Sequence, residues 1–208
     1  MRQNPVRELI YVADAYCGWC YGFSKTITTL ARDPELSIRV MHGSLFSGDR
    51  ALPISSYPHI PGANKRITEL TGAKFGAGYL RRLESGDLRI DSSDAARGLM
   101  ALRAVAGKDR GVEALAAMQK AFYGEGHSLS EEAAYIFAAH ELGINSALVL
   151  VELNNPENAF LAQEEQKQVY ATGISHYPAL LAITEVGLVE IGSPTATPAQ
   201  IKAELAQI

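Results

Sequence analysis

The apolar positions of this chain fall into two alternating periods. Leu9-Ile10-Tyr11-Val12-Ala13 is a short unbroken apolar run, with the length and β-rich composition of a buried strand. Phe23, Ile27, Leu30 and Ala31 then recur at intervals of three and four, the spacing of one helical face. Asp33-Pro34 ends that helix. Leu36, Ile38 and Val40 alternate with Ser37 and Arg39, which predicts a half-buried strand. Strand, helix, strand is a βαβ unit. The residues from Ser47 to Gly62 are rich in Pro, Gly and Ser and predict an irregular connection.

From about Asn64 to Leu153 the period is helical. Ser92-Ser93-Asp94 is predicted to cap a run carrying Ala95, Ala96, Leu99 and Leu102 on one face, ended by Gly107. Val112, Leu115, Ala116, Met118 and Phe122 continue the pattern until Gly124. Ser128 and Glu131 have capping-box spacing ahead of Ala134, Tyr135, Phe137 and Ala138, and Gly143 closes that helix. A short helix from Ser146 to Leu153 follows. Asn155-Pro156 opens another, with Pro at its first position. Ala179-Leu180-Leu181-Ala182-Ile183 and Leu188-Val189-Glu190-Ile191, separated by a turn at Glu185 to Gly187, predict an antiparallel hairpin. Thr197 and Gln200 have capping-box spacing around Pro198, and Ile201, Leu205 and Ile208 form one apolar stripe of a last helix.

Length and charge narrow the function. A chain of 208 residues is one large domain or a domain carrying a subdomain. Its net charge of -4 gives no reason to expect nucleic acid as a partner, and no apolar run is long enough to cross a bilayer. Arg2 and Arg7 precede only a five-residue apolar run without a small-residue cleavage site, so no secretory signal is read. If Met1 is the natural start, the expected location is the cytoplasm.

Both cysteines of the chain lie in Tyr16-Cys17-Gly18-Trp19-Cys20-Tyr21, between the first strand and the first helix. A helix N-terminus favours a thiolate through its free N–H groups and its dipole. Cys17, at the tip and the more exposed, is the expected attacking thiolate; Cys20, one turn in, is the expected resolving cysteine. The two-residue spacer lets both sulfurs meet and exchange a disulfide. A zinc site would need further ligands, and no other cysteine or spaced His pair supplies them. A structural disulfide closing so short a loop adds little stability. Two inert core cysteines are the remaining alternative. Asp14 is a candidate proton acceptor for Cys20, or a carboxylate bonded to loop N–H groups. Trp19, Tyr21 and Phe23 are candidates for an apolar rim receiving substrate, or for simple core packing. His42, His127 and His176 are assigned no role.

Three stretches in this order resemble the thioredoxin-fold proteins of the DsbA family, in particular their cytoplasmic, protein-disulfide-isomerase-like branch. They are Val12-Ala13-Asp14 leading into Cys17 to Phe23; Ala121-Phe122-Tyr123-Gly124-Glu125-Gly126 with Leu129-Ser130; and Gly173-Ile174-Ser175-His176-Tyr177-Pro178-Ala179-Leu180. The resemblance implies an α/β, thioredoxin-like fold with a large all-helical insertion. The thioredoxin-like domain would be discontinuous, 1–60 and 155–208, with 61–154 inserted. It implies a cis peptide at Tyr177-Pro178 facing the cysteines, with the Tyr177 backbone open to an extended substrate. It also implies a thiol–disulfide oxidoreductase that needs no metal or nucleotide, acting on protein or peptide thiols and disulfides or on glutathione. The residues between the cysteines are Gly18-Trp19, without the histidine that the family's strong oxidants place there, so a less oxidising couple is expected. Two other functions remain open at this point: a glutathione-dependent transferase or isomerase of the kappa-class type, which would not need Cys20, and a non-catalytic chaperone or binding module.

Overall fold

Strand β1 (Arg7–Ala13) is exposed at Arg7 and Glu8 and buried from Leu9 onward. An apolar run buried on both faces belongs in the middle of a sheet. It is one of the two central strands of a four-stranded sheet of order β2-β1-β3-β4. β2 (Leu36–His42) runs parallel to β1, with Ala13 opposite His42. β3 (Ala179–Thr184) runs antiparallel to β1, with Tyr11 opposite Leu180, and the hairpin to β4 (Gly187–Ile191) completes the sheet. The two-residue period of β1 sends Leu9, Tyr11 and Ala13 into the core that holds both cysteines. Ile10 and Val12 enter the opposite core with Met41, Leu181 and Val169. The computed structural model describes residues 7–208. The stretch from Met1 to Val6, including Arg2 of the N-terminal reading, lies outside the described residues.

Helix α1 (Gly18–Leu30) buries Cys20, Phe23, Ile27 and Leu30 on one face. After β2 the chain makes short turns at Gly48–Arg50 and Ile54–Ser56. α2 (Ile60–Thr71) then begins inside the stretch read as irregular, because Pro61 stands in the first turn, where its missing N–H costs nothing. α3 (Ala77–Ser85) and α4 (Ser92–Ala106) follow. The cap of α4 is Asp91, whose carboxylate accepts from Ser93 N–H. Ser92 is fully buried, and its hydroxyl accepts from Phe46 N–H instead.

α5 (Gly111–Gln119) widens into a π turn at Lys120–Glu125. The helix therefore passes through Gly124 and stops at Gly126, which has φ 81°. At α6 (Glu132–Leu142) the capping box expected of Ser128 and Glu131 is absent: Ser128 Oγ accepts from Ser130 N–H, and Glu131 caps with its backbone alone. Asn145 caps α7 (Ser146–Leu153) and Asn155 caps α8 (Pro156–Ala171). α9 (Pro198–Leu205) carries the complete Thr197–Gln200 capping box. Its stripe buries Ile201 and Leu205 but leaves Ile208 exposed. Helices α4 to α7 pack on one another, α8 packs on both α4 and β2, and α5 also packs on β2, so the helical block meets the sheet through α8 and α5.

Candidate active site

The turn between β1 and α1 is held by its own polar groups. Asp14 is fully buried, and its two carboxylate oxygens accept from Tyr16 N–H and Leu45 N–H, each at 2.9 Å. Cys17 N–H donates to the Asp14 carbonyl at 3.0 Å. Ala15 N–H donates to His42 Nε2 at 3.1 Å, and His42 Nδ1 lies 2.8 Å from the Gly43 carbonyl. Since Nε2 accepts, the proton is on Nδ1, and His42 is neutral. Tyr123 Oη donates to the Tyr16 carbonyl at 2.5 Å, while Leu129 N–H donates to Tyr16 Oη at 3.1 Å. The π turn and the segment after it therefore grip the turn from the helical side.

Cys17 is the N-cap of α1, extended at φ -80° and ψ 113°. Both cysteines are free thiols and both are buried, Cys17 at 5% exposure and Cys20 at 0%. Cys17 is thus the more accessible of the two, though less open than a helix tip led one to expect. The Cys17 thiol donates to the Tyr177 carbonyl at 3.4 Å. The Tyr177–Pro178 peptide is cis. Burial pushes the Cys20 thiol well above its ordinary value, with its hydrogen bond to Cys17 adding to the rise.

Tyr177 is half-buried with its ring against the backbone of Gly43, and its hydroxyl accepts from Ser44 N–H at 3.2 Å. Beside Cys17 opens a cavity of about 120 Å³. Trp19, Phe46, Ile60, Ile67 and Tyr123 line it, with Asn64 as its buried polar member. Tyr21 stacks on Tyr123 with ring centroids 4.6 Å apart, and Phe75 and Tyr79 complete the aromatic wall. Phe23 points into the core and is not part of this wall. Among the described residues, no three His, Cys, Asp or Glu side chains converge as a metal-ligand set.

The site therefore gathers Cys17, Cys20, Asp14, Trp19, Tyr177 and Pro178. Sequence reasoning missed Tyr123, His42 and the α2 wall. Tyr123 lay within a noticed motif, but nothing in the letters told that its hydroxyl reaches 107 residues back to Tyr16.

The sequence matches the DSBA-like thioredoxin domain family over residues 8–188. No curated protein matches it. Among solved structures it is similar to the cytosolic disulfide reductase DsbM from Pseudomonas aeruginosa, with 22% identity and a TM-score of 0.80 over 96% of this chain and 97% of that one. DsbM with GSH gives 24% identity and 0.77, covering 96% and 98%. Reduced DsbA1 from Neisseria meningitidis gives 13% and 0.60, covering 100% and 86%. A 2-hydroxychromene-2-carboxylate isomerase gives 13% and 0.61, covering 83% and 84%. At these identities the structures share the fold.

Proposed function

The chain belongs to the DSBA-like thioredoxin domain family, and from that premise we propose that it is a thiol–disulfide oxidoreductase running on the Cys17–Cys20 pair. The observation that carries the reading is the asymmetry of that pair. Cys17 caps α1 beside a cavity and against the Tyr177 carbonyl, while Cys20 lies sealed behind it with its proton held by burial.

Cys17 Sγ, as thiolate, attacks a substrate disulfide. A Cys17–substrate disulfide forms, and the other substrate sulfur leaves as a thiolate that takes up a proton. Cys20 then attacks Cys17 Sγ. The Cys17–Cys20 bond forms, the mixed disulfide breaks, and the proton given up by Cys20 is balanced by one taken up by the released thiol. The Tyr177 backbone is the edge for an extended substrate, and Trp19 with the α2 wall receives its apolar neighbour. Asp14 clamps the turn that carries Cys17. The inserted helices, 61–154 in the domain reading, supply that wall.

We assign reduction as the direction. Among the described residues no Lys or Arg lines the cavity beside Cys17, where the one basic side chain is the exposed His59, and Trp19 carries no charge to stabilise a thiolate. DsbM, with the same fold, is a cytosolic reductase solved with GSH, which supports glutathione or another small thiol as the returning reductant and a reducing cytoplasm as the setting. The expected reduction potential lies toward the roughly -270 mV of thioredoxin, away from the roughly -120 mV of the strong oxidant DsbA.

Equilibration with glutathione buffers, followed by mass-spectrometric counting of thiols, measures the potential. A value near -120 mV would reverse the direction. Cys20→Ser should accumulate the Cys17 mixed disulfide and lose turnover. Full glutathione-dependent activity in that variant would instead support the transferase or isomerase reading.

A further inference from the structure

Tyr11 is among the largest fully buried side chains, and the mechanism above does not use it. It sits in β1 on the side facing α1, 1% exposed, in the same core as Cys17, Cys20 and Phe23. Its ring centroid is 5.9 Å from that of Phe23. Cys20 and Phe23 lie one helical turn apart on the buried face of α1, so Tyr11 underlies the turn that carries the resolving cysteine. Its hydroxyl is buried and finds no partner in hydrogen-bond geometry among the described residues. A strand position on this face would ordinarily be filled by an apolar side chain, and a buried hydroxyl without a partner costs stability. Leu9 and Ala13, its neighbours on the same face, carry no polar atom.

Tyr11, Cys17 and Cys20 belong to one core from which water is excluded. Burial raises the Tyr11 pKa most, then the charges of Cys20 and of Cys17, then contact with the Cys20 thiol. The group thus keeps its proton and has it to donate. Asp14, the other group near Cys20, already spends both oxygens on Tyr16 N–H and Leu45 N–H.

We propose that the Tyr11 hydroxyl is held in the core to donate a hydrogen bond to Cys20 Sγ while that sulfur is the attacking thiolate. The inference rests on the exchange reading above. In the resolving step Cys20 Sγ loses its proton, forms the bond to Cys17 Sγ and expels the substrate thiolate, which takes up a proton. Tyr11 transfers nothing; it stabilises negative charge where no water reaches. In the resting dithiol, where Cys20 keeps its proton, the hydroxyl makes no such bond, so its effect falls on the rate of resolution and not on the dithiol–disulfide equilibrium.

Tyr11→Phe tests this, since it removes one oxygen and keeps the ring. Reduced protein is mixed with oxidised glutathione in a rapid-quench instrument, and the Cys17 mixed disulfide is counted by mass. Attack by Cys17 should be unchanged and resolution about tenfold slower, the usual size for one hydrogen bond to a charged group. The equilibrium constant with glutathione should stay within about twofold of wild type, because the thiolate is present only during the step. The thermal midpoint should hold or rise. Unchanged resolution would overturn the role of Tyr11 and leave the exchange reading standing. So would a variant that unfolds more readily, since the hydroxyl would then serve the fold. Failure of the wild-type protein to form any Cys17–Cys20 disulfide would remove the exchange reading itself, and this inference with it.

Discussion

Gly43 is the position at which a single methyl group should separate catalysis from folding. A Cβ built there would lie 2.4 Å from Tyr177 Cζ, 2.5 Å from Cε1 and 2.7 Å from the hydroxyl. Ordinary contact needs about 3.5 Å or more, so the ring must retreat by about 1 Å. Gly43 does not occupy the left-handed region, so alanine brings no backbone strain of its own. The ring is tied to Ser44 N–H through its hydroxyl, and the Tyr177 carbonyl receives the Cys17 thiol. Gly43→Ala should therefore cost about 1–3 kcal/mol by overpacking and displace the Tyr177 carbonyl from Cys17. A displacement of this size slows a positioned reaction by about ten- to a hundredfold. The assay is the second-order rate of Cys17 with a peptide disulfide, beside urea unfolding. Gly62→Ala is the control: it lies in α2, nothing stands within 4 Å of its added methyl, and helix propensity alone should stabilise by about 0.5–1 kcal/mol. An exchange rate within twofold of wild type in Gly43→Ala would refute the argument that the ring against Gly43 sets the approach to Cys17.

Three further outcomes follow from the same structure. Tyr123→Phe removes the donor to the Tyr16 carbonyl and should lower stability by about 1–3 kcal/mol, read by urea unfolding; no change would mean that this bond does not hold the turn. Arg103→Met breaks the 2.9 Å pair with Glu165, whose other oxygen accepts from His42 N–H. The side chains are 13% and 11% exposed, so the cost should be about 2 kcal/mol, less than the roughly 3–5 kcal/mol of a fully buried pair, and it should diminish little in high salt. Stability should also fall at alkaline pH. Burial raises Cys20 from its ordinary 9.0 and Tyr11, Tyr123 and Tyr135 from 10.0. The folded chain keeps protons that the unfolded chain releases, so stability is full below about pH 9 and declines above it, by up to about 1.4 kcal/mol per pH unit for each group. A flat profile between pH 8 and 11 would contradict these burials.

The β1–α1–β2 unit, the β3–β4 hairpin and the caps at Asn155 and Thr197 were legible because each depends on neighbours within a few residues. The cap of α4 was misplaced by one residue, since Ser92 is bound by Phe46 N–H from 46 residues away and leaves the capping to Asp91. The start of α2 was missed because Pro61 and Gly62 read as breakers, although Pro in a first turn opens a helix. The Cys17–Cys20 pair announced itself by spacing. Its walls did not, because Tyr123, Asn64 and Ile67 reach it only through long-range packing that periodicity cannot register.

The distribution of polar groups explains why the reactive pair needs the inserted helices. The sheet side of the site fixes the backbone: Asp14, His42 and the Gly43 carbonyl hold the turn and the segment after β2. Those contacts use backbone N–H and C=O groups, so they set position without offering anything to a substrate side chain. The helical side does the opposite. Its rings enclose the space beside Cys17, and of its hydroxyls Tyr123 is committed to Tyr16, Tyr21 to the Lys74 carbonyl, and Tyr79 to Asn64. The wall beside Cys17 is consequently mostly apolar, with Asn64 and the exposed His59 as its polar members, so recognition rests chiefly on shape and on the Tyr177 backbone. A thiol–disulfide oxidoreductase built this way would favour disulfides flanked by an apolar residue. In the exchange proposed above, the sealed position of Cys20 would keep the second step intramolecular, so the rate of release would depend on the protein's own core and little on the substrate bound.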